Sequence, residues 1–363
     1  MVAAVFPVLY GSAAVFAVVL GESLSGSPER RPTLLAVAAV FLVGLGLALV
    51  GQDRTRSVTV AARLVAASAP VLAMAAVYDG WSGAGLAGSV GLAALLAAVA
   101  PGAGSPTARA KFARPDRLTR VASAAVAAVA AVAIFEATVL ALGGAALTGV
   151  LLSQALALVV LAASAGRRGP LLAGMGYGLV GLGLAVFRDA PARALAEFPA
   201  QPYLSLGQPD PRALLTGLTL SVLVVLLAAA VVVAGGRTGL TGVIAAPAWL
   251  WVPAGVVGLY GAGSVVITAA LLVVPAEPGF LGGHAVVTIS WTLAALVLLA
   301  SGIDRAAPRL AGLVLIASAV AKLVLFDLVA LDGLARVAAF VGAGLLMLAA
   351  GSRYARLVAR SQQ

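Results

Sequence analysis

The chain has 363 residues, 62% of them hydrophobic and 10% charged, with mean hydropathy +1.12 and net charge +10. A soluble domain needs roughly a quarter of its residues charged to cover its surface, so this composition excludes one and predicts an all-α polytopic transmembrane helical bundle, a single integral membrane domain over 1–363. With no cysteine and one histidine, disulfides, thiol catalysis, iron–sulfur ligation and the usual zinc sites are excluded, and neither a metal nor a cofactor is expected.

About 20 apolar residues cross a bilayer as a helix. Twelve segments qualify, at 2–20, 33–51, 64–78, 82–100, 121–142, 145–165, 171–187, 213–234, 249–274, 284–303, 310–330 and 335–352. Met1–Leu20 has no basic region ahead of its apolar stretch, so it is expected as a first span and not as a cleaved signal peptide. With the C-terminus placed inside, alternation puts sixteen Lys and Arg in inner segments and six in outer ones, with Lys322 inside a span. That asymmetry predicts an even number of spans and two cytoplasmic termini. Basic residues in short loops, without interleaved aromatics, predict no nucleic-acid partner. Lysine is rare and alanine and glycine dominate, a bias expected of a GC-rich bacterial genome, so the cytoplasmic (inner) membrane of a bacterium is the expected location.

Along the chain, the inner loop Pro101–Arg120 carries five basic residues against Asp116, a composition that serves as a topology signal and attracts anionic lipid headgroups. Glu136 lies within the fifth span, about 9 Å from its outer end at 1.5 Å per residue. A carboxylate at that depth must be paired, protonated or wet, and is a candidate proton relay, ligand contact or general acid/base. Gly143–Gly144 predicts a tight hairpin between the fifth and sixth spans. In the seventh, Gly174, Gly178, Gly181 and Ala185 share a face, as expected of close helix packing in lipid. The outer loop Arg188–Arg212 holds five prolines; between the first two, Ala192–Phe198 has room for about two turns of interfacial helix. This loop is either a rigid connector or a lid. His284 is expected at the outer surface, where the tenth span begins. Lys322 lies about 12 Å below the outer end of the eleventh span, a depth similar to that of Glu136. Asp327, five residues on, faces elsewhere and is expected to pair with Arg336 across the last hairpin. Trp81, Trp249, Trp251, Tyr260 and Tyr354 lie mostly near span ends, as in an aromatic belt. No phosphate loop, nucleophile elbow, metalloprotease motif or dinucleotide fingerprint falls in a usable loop, and no internal repeat supports an inverted-repeat transporter.

The C-terminal quarter carries a distinctive order of residues. His284-Ala-Val-Val-Thr-Ile-Ser-Trp291 opens a span, Arg309-Leu-Ala-Gly follows, then Lys322-Leu-Val-Leu-Phe-Asp327-Leu, then Arg336-Val-Ala-Ala-Phe340-Val-Gly-Ala-Gly344, and finally Tyr354. This resembles the C-terminal part of the bacterial "predicted membrane protein" family called domain of unknown function 2339. The resemblance implies a multi-pass membrane protein and adds weight to Lys322, Asp327 and Arg336, but it implies no reaction. Many members also carry a soluble N-terminal extension.

Three functions compete on these residues. A transporter or flippase-like protein for an envelope component, such as a lipid or lipid-linked glycan, predicts that Glu136 and Lys322 line one cavity, with Asp327 and Arg336 at its mouth and His284 as a further binding candidate. A scaffold or accessory subunit of an envelope-biogenesis complex predicts protein partners beside the surrounding membrane lipids. A membrane-embedded transferase acting on a lipid-linked donor would use an outer-facing acid, and Glu136, Asp79 and His284 are all expected toward the outer side.

Overall fold

The computed structural model describes residues 57–77, 80–99, 117–198, 200–205, 208–240, 252–302, 306–323 and scattered helical positions between 337 and 352. The first two expected spans, Asp79, most of the Pro101–Arg120 loop, Trp249, Trp251, Asp327, Arg336 and Tyr354 lie outside the described residues. The chain forms two compact units, Met1–Gly181 with Val233–Ala245, and Leu182–Val232 with Ala246–Gln363.

In the first unit, α1 (Ser57–Ala75), α2 (Trp81–Val99) and α3 (Arg117–Ala141) pack mutually. Their shared core is made of small and medium apolar side chains, among them Val71, Met74, Val90, Ala94, Ala130 and Ala133. At Gly91 a Cβ would stand 3.0 Å from the Ile134 side chain, so α2 approaches α3 closely because nothing projects there. The Gly143–Gly144 hairpin forms as the sequence predicts. Gly144 adopts φ +58°, a left-handed conformation that suits glycine. It starts α4 (Gly144–Ala165), which ends at left-handed Gly166, whose N–H bonds the Ala162 carbonyl. α5 (Arg168–Leu184) folds back onto α4. Gly174, Gly178 and Gly181 are all buried. A Cβ on Gly174 would lie 2.9 Å from the Ala155 carbonyl oxygen, and one on Gly181 3.0 Å from Leu152. Without a hydrophobic force between helices in lipid, such close approach is what supplies contact.

The second unit begins with a π-turn, Ala185–Asp189, then a single 3-10 turn, Ala192–Leu195. The two-turn interfacial helix expected over Ala192–Phe198 is therefore a four-residue turn; the chain leaves helical geometry before it reaches Pro199, as residues preceding proline tend to do. A two-residue ribbon follows, β1 (Leu204–Ser205) antiparallel to β2 (Gln208–Pro209). Asp210 then starts α6 (Pro211–Arg237), accepting the Arg212 N–H at 2.9 Å beside a proline at the first helical position. α7 (Val252–Val273), α8 (Glu277–Ser301) and α9 (Ala306–Lys322) follow, with α7 packed on α8 and α8 on α9. A core of Ala194, Tyr203, Leu214, Ile267, Leu271, Phe280 and Val287 joins the loop to the ends of α6, α7 and α8.

Six of the described helices are long and apolar enough to cross a membrane: 124–141, 144–165, 168–189, 211–237, 252–273 and 277–301. Only 28–39% of each is buried inside the protein, and the remainder displays residues such as Leu179, Val256 and Val297. Water would not tolerate so much apolar surface on every helix, whereas acyl chains solvate it. The chain is an α-helical, multi-pass membrane protein.

Candidate functional site

α8 begins at Glu277, seven residues before the span start expected from hydropathy. Glu277 complements the partial positive charge of the helix N-terminus, and Pro278 is preorganised for the first turn. A scan for apolar runs passes over both. The consequence is a correction: His284 does not open the span at the surface but lies two turns inside the helix, 3% exposed.

From there α8 carries polar residues at four-residue steps, His284, Thr288 and Thr292, all buried and on one face. Thr288 donates to the His284 carbonyl at 3.1 Å, and Thr292 to the Thr288 carbonyl at 2.8 Å. Each hydroxyl is thereby satisfied by its own helix, as a polar group in hydrocarbon must be. The last residue of α9 enters this line from the side. The half-buried Lys322 Nζ donates to Thr288 Oγ1 at 2.8 Å and to the His284 carbonyl at 3.2 Å. Thr288 thus relays, accepting from the ammonium while donating along its own helix.

The loop after the π-turn roofs the cluster. The Phe280 ring meets the His284 imidazole edge-on at 4.6 Å, and Phe198 stacks on Phe280 at 5.6 Å. Beside this roof is a recess of about 10 Å³, room for a single water, lined by Ala194, Glu197, Phe198, Tyr203 and Leu271 among others. Tyr203 bonds Ser264, whose hydroxyl is 2.7 Å from that of Ser221. Burial pushes the Tyr203 phenol up to about 12, with the Ser264 hydrogen bond pulling the other way. The loop lies tight on α6 because position 217 is glycine; a Cβ there would be 2.6 Å from Tyr203 Cε1. Tyr260, expected in an aromatic belt, instead donates to the Ala190 carbonyl from within α7 and ties the loop down.

Glu136 is half-buried on α3, five residues before the helix end, and none of the described residues pairs with its carboxylate. It belongs to the first unit, whereas His284 and Lys322 belong to the second. Of the residues singled out in the sequence, the structure brings together His284 and Lys322. No family model, curated protein or solved structure matches the chain. The residues that sequence reasoning missed are Thr288, Ser221, Ser264 and Tyr203. One signal was available for the first of them: the His284, Thr288, Thr292 spacing places three polar groups on one helical face of an otherwise apolar span.

Lys322 is held here by a hydroxyl and a main-chain carbonyl, both of which accept from its ammonium. Chemically, such a group attracts anions or positions an acidic headgroup. The hydroxyl and imidazole beside it add polar groups that can orient one.

Proposed function

We propose that the protein is a transporter or flippase-like handler of a cell-envelope component in the cytoplasmic membrane of a bacterium, with twelve spans and both termini cytoplasmic. One observation supports this reading above others. The Lys322 ammonium is held within the span region by Thr288 and the His284 carbonyl, beneath a loop that roofs the cluster. Ionisable residues held inside a membrane mark ligand pathways more often than they serve packing, and the cation suits a lipid or lipid-linked glycan with an anionic headgroup. Asp327 and Arg336, highlighted by the resemblance to domain of unknown function 2339, would complete the mouth of that site. Glu136 would serve as a separate ligand contact or proton relay.

The experiment is lipid exchange in proteoliposomes, read by dithionite quenching of fluorescent phosphatidylglycerol. The wild-type chain accelerates exchange over protein-free vesicles, Lys322→Met returns it to the protein-free rate, and Thr288→Val falls between. Wild-type vesicles that exchange no faster than empty ones would remove the reading. The self-satisfied hydroxyls of α8 favour a second one, a static scaffold within an envelope-biogenesis complex, and that outcome would bring it forward.

A further inference from the structure

In the first unit, three arginines lie at the two turns that start α5 and end α6. Arg168, at the start of α5, donates from Nε to the Thr238 carbonyl and from an Nη to the Gly239 carbonyl, both at 3.2 Å. Those carbonyls terminate α6, where a cation complements the helix dipole. The clamp sets two further arginines beside it by direct chain continuity: Arg167 precedes Arg168, and Arg237 precedes Thr238. All three are exposed. α4, α5 and α6 themselves contribute no Asp or Glu to this end. Left-handed Gly166 and Gly239 shape the two turns that hold the group.

The surroundings identify the partner. The 144–165, 168–189 and 211–237 helices are each of membrane-spanning length, so this end of them lies at the boundary between headgroups and acyl chains. One turn into α5 from Arg168 stands Leu172, 59% exposed, and one turn back along α6 from Arg237 stands Val233, 50% exposed. Residues four apart share a helical face, so Arg168 and Arg237 each have an exposed apolar neighbour one turn along the same face. A free phosphate would use the arginines alone. A ligand with an anionic head and two acyl chains would use both layers.

We infer that Arg167, Arg168 and Arg237 form a binding site for the phosphodiester headgroup of an anionic phospholipid, with Leu172 and Val233 contacting its acyl chains. Arg168 divides its role, since two of its donors hold the turns together; Arg167 and Arg237 supply the charge that selects the lipid. The site goes beyond the proposed transport reading and does not depend on it.

The test is native mass spectrometry of the full chain in detergent, titrated with phosphatidylglycerol, with phosphatidylcholine, and with inorganic phosphate alone. The wild type retains phosphatidylglycerol over phosphatidylcholine, and Arg167→Gln with Arg237→Gln weakens that retention on the order of tenfold. The Arg167→Lys, Arg237→Lys variant restores most of it, which separates lost charge from lost fold. Equal retention of the two lipids by the wild type, or unchanged phosphatidylglycerol retention in the glutamine variant, overturns the assignment. Inorganic phosphate binding with the same residue dependence would also overturn it, since the site would then not be a lipid's.

Discussion

The two units hold helices together by different means. In the first, α4 and α5 touch where Gly174 and Gly181 carry no side chain, and α2 meets α3 at Gly91. In the second, α8 and α9 are joined by an ammonium on a hydroxyl, and the loop is fixed by aromatic rings and phenols. Both solve one problem. Burial of apolar surface gives helices no reason to associate when the solvent is itself apolar, so contact must come from shape or from polar complementarity. The first solution is inert and rigid. The second places a charge and several hydroxyls inside the protein.

The contrast breaks most easily at the glycine contacts. Gly174→Leu is expected to destabilise the first unit by about 3 kcal/mol through overpacking against the Ala155 backbone, whereas Gly176→Leu, two residues away with nothing within 4 Å of its Cβ, should stay within about 0.5 kcal/mol. Thermal unfolding in detergent compares them; equal shifts would mean that close approach is not what holds α4 to α5.

The second unit should respond to alkaline pH at Tyr203. Its phenol titrates near 12 when folded against about 10 when unfolded. The raised value favours the protonated form, so the contribution is intact below pH 10 and is lost as pH rises through 12, by about 2–3 kcal/mol. At pH 8, Tyr203→Phe should be less stable than wild type by about 1 kcal/mol, the Ser264 bond; toward pH 12 the order should reverse. Parallel stability curves for the two proteins would show that the loop does not bury this phenol.

The smallest effect belongs to an interhelical polar contact of the first unit, where Gln154 donates to Thr138 at 2.9 Å between α4 and α3. Gln154→Leu should cost about 0.6 kcal/mol, the usual size for interhelical hydrogen bonds in membrane proteins. A cost comparable with that of Gly174→Leu would erase the distinction between the units.

Much of this arrangement was legible in the residues. The Gly143–Gly144 hairpin, the glycine face of α5 and the apolar length of six helices follow from local chemistry, because backbone freedom, side-chain size and hydrophobicity are properties each residue carries alone. The starts of helices were less legible. Hydropathy placed one start at His284, but Glu277 and Pro278 begin the helix earlier through dipole and φ preferences that an apolar scan does not weigh. The site was legible only in part. His284 and Lys322 stood out as rare residues in apolar spans, while Thr288 did not, since a threonine in a helix most often bonds its own backbone and here does so as well.

Composition and periodicity alone determined that the chain lives in lipid, is helical and crosses the membrane repeatedly, because the free energy of burying polar backbone and charge depends on each segment's own content. Which groups meet was decided only by tertiary structure. His284 and Lys322 are 38 residues apart, Tyr203 and Ser264 lie on a loop and a helix, and Arg168 reaches a turn 70 residues away. A hydrogen bond needs its atoms within about 3 Å, and that proximity is set by how whole helices pack, which no single segment encodes.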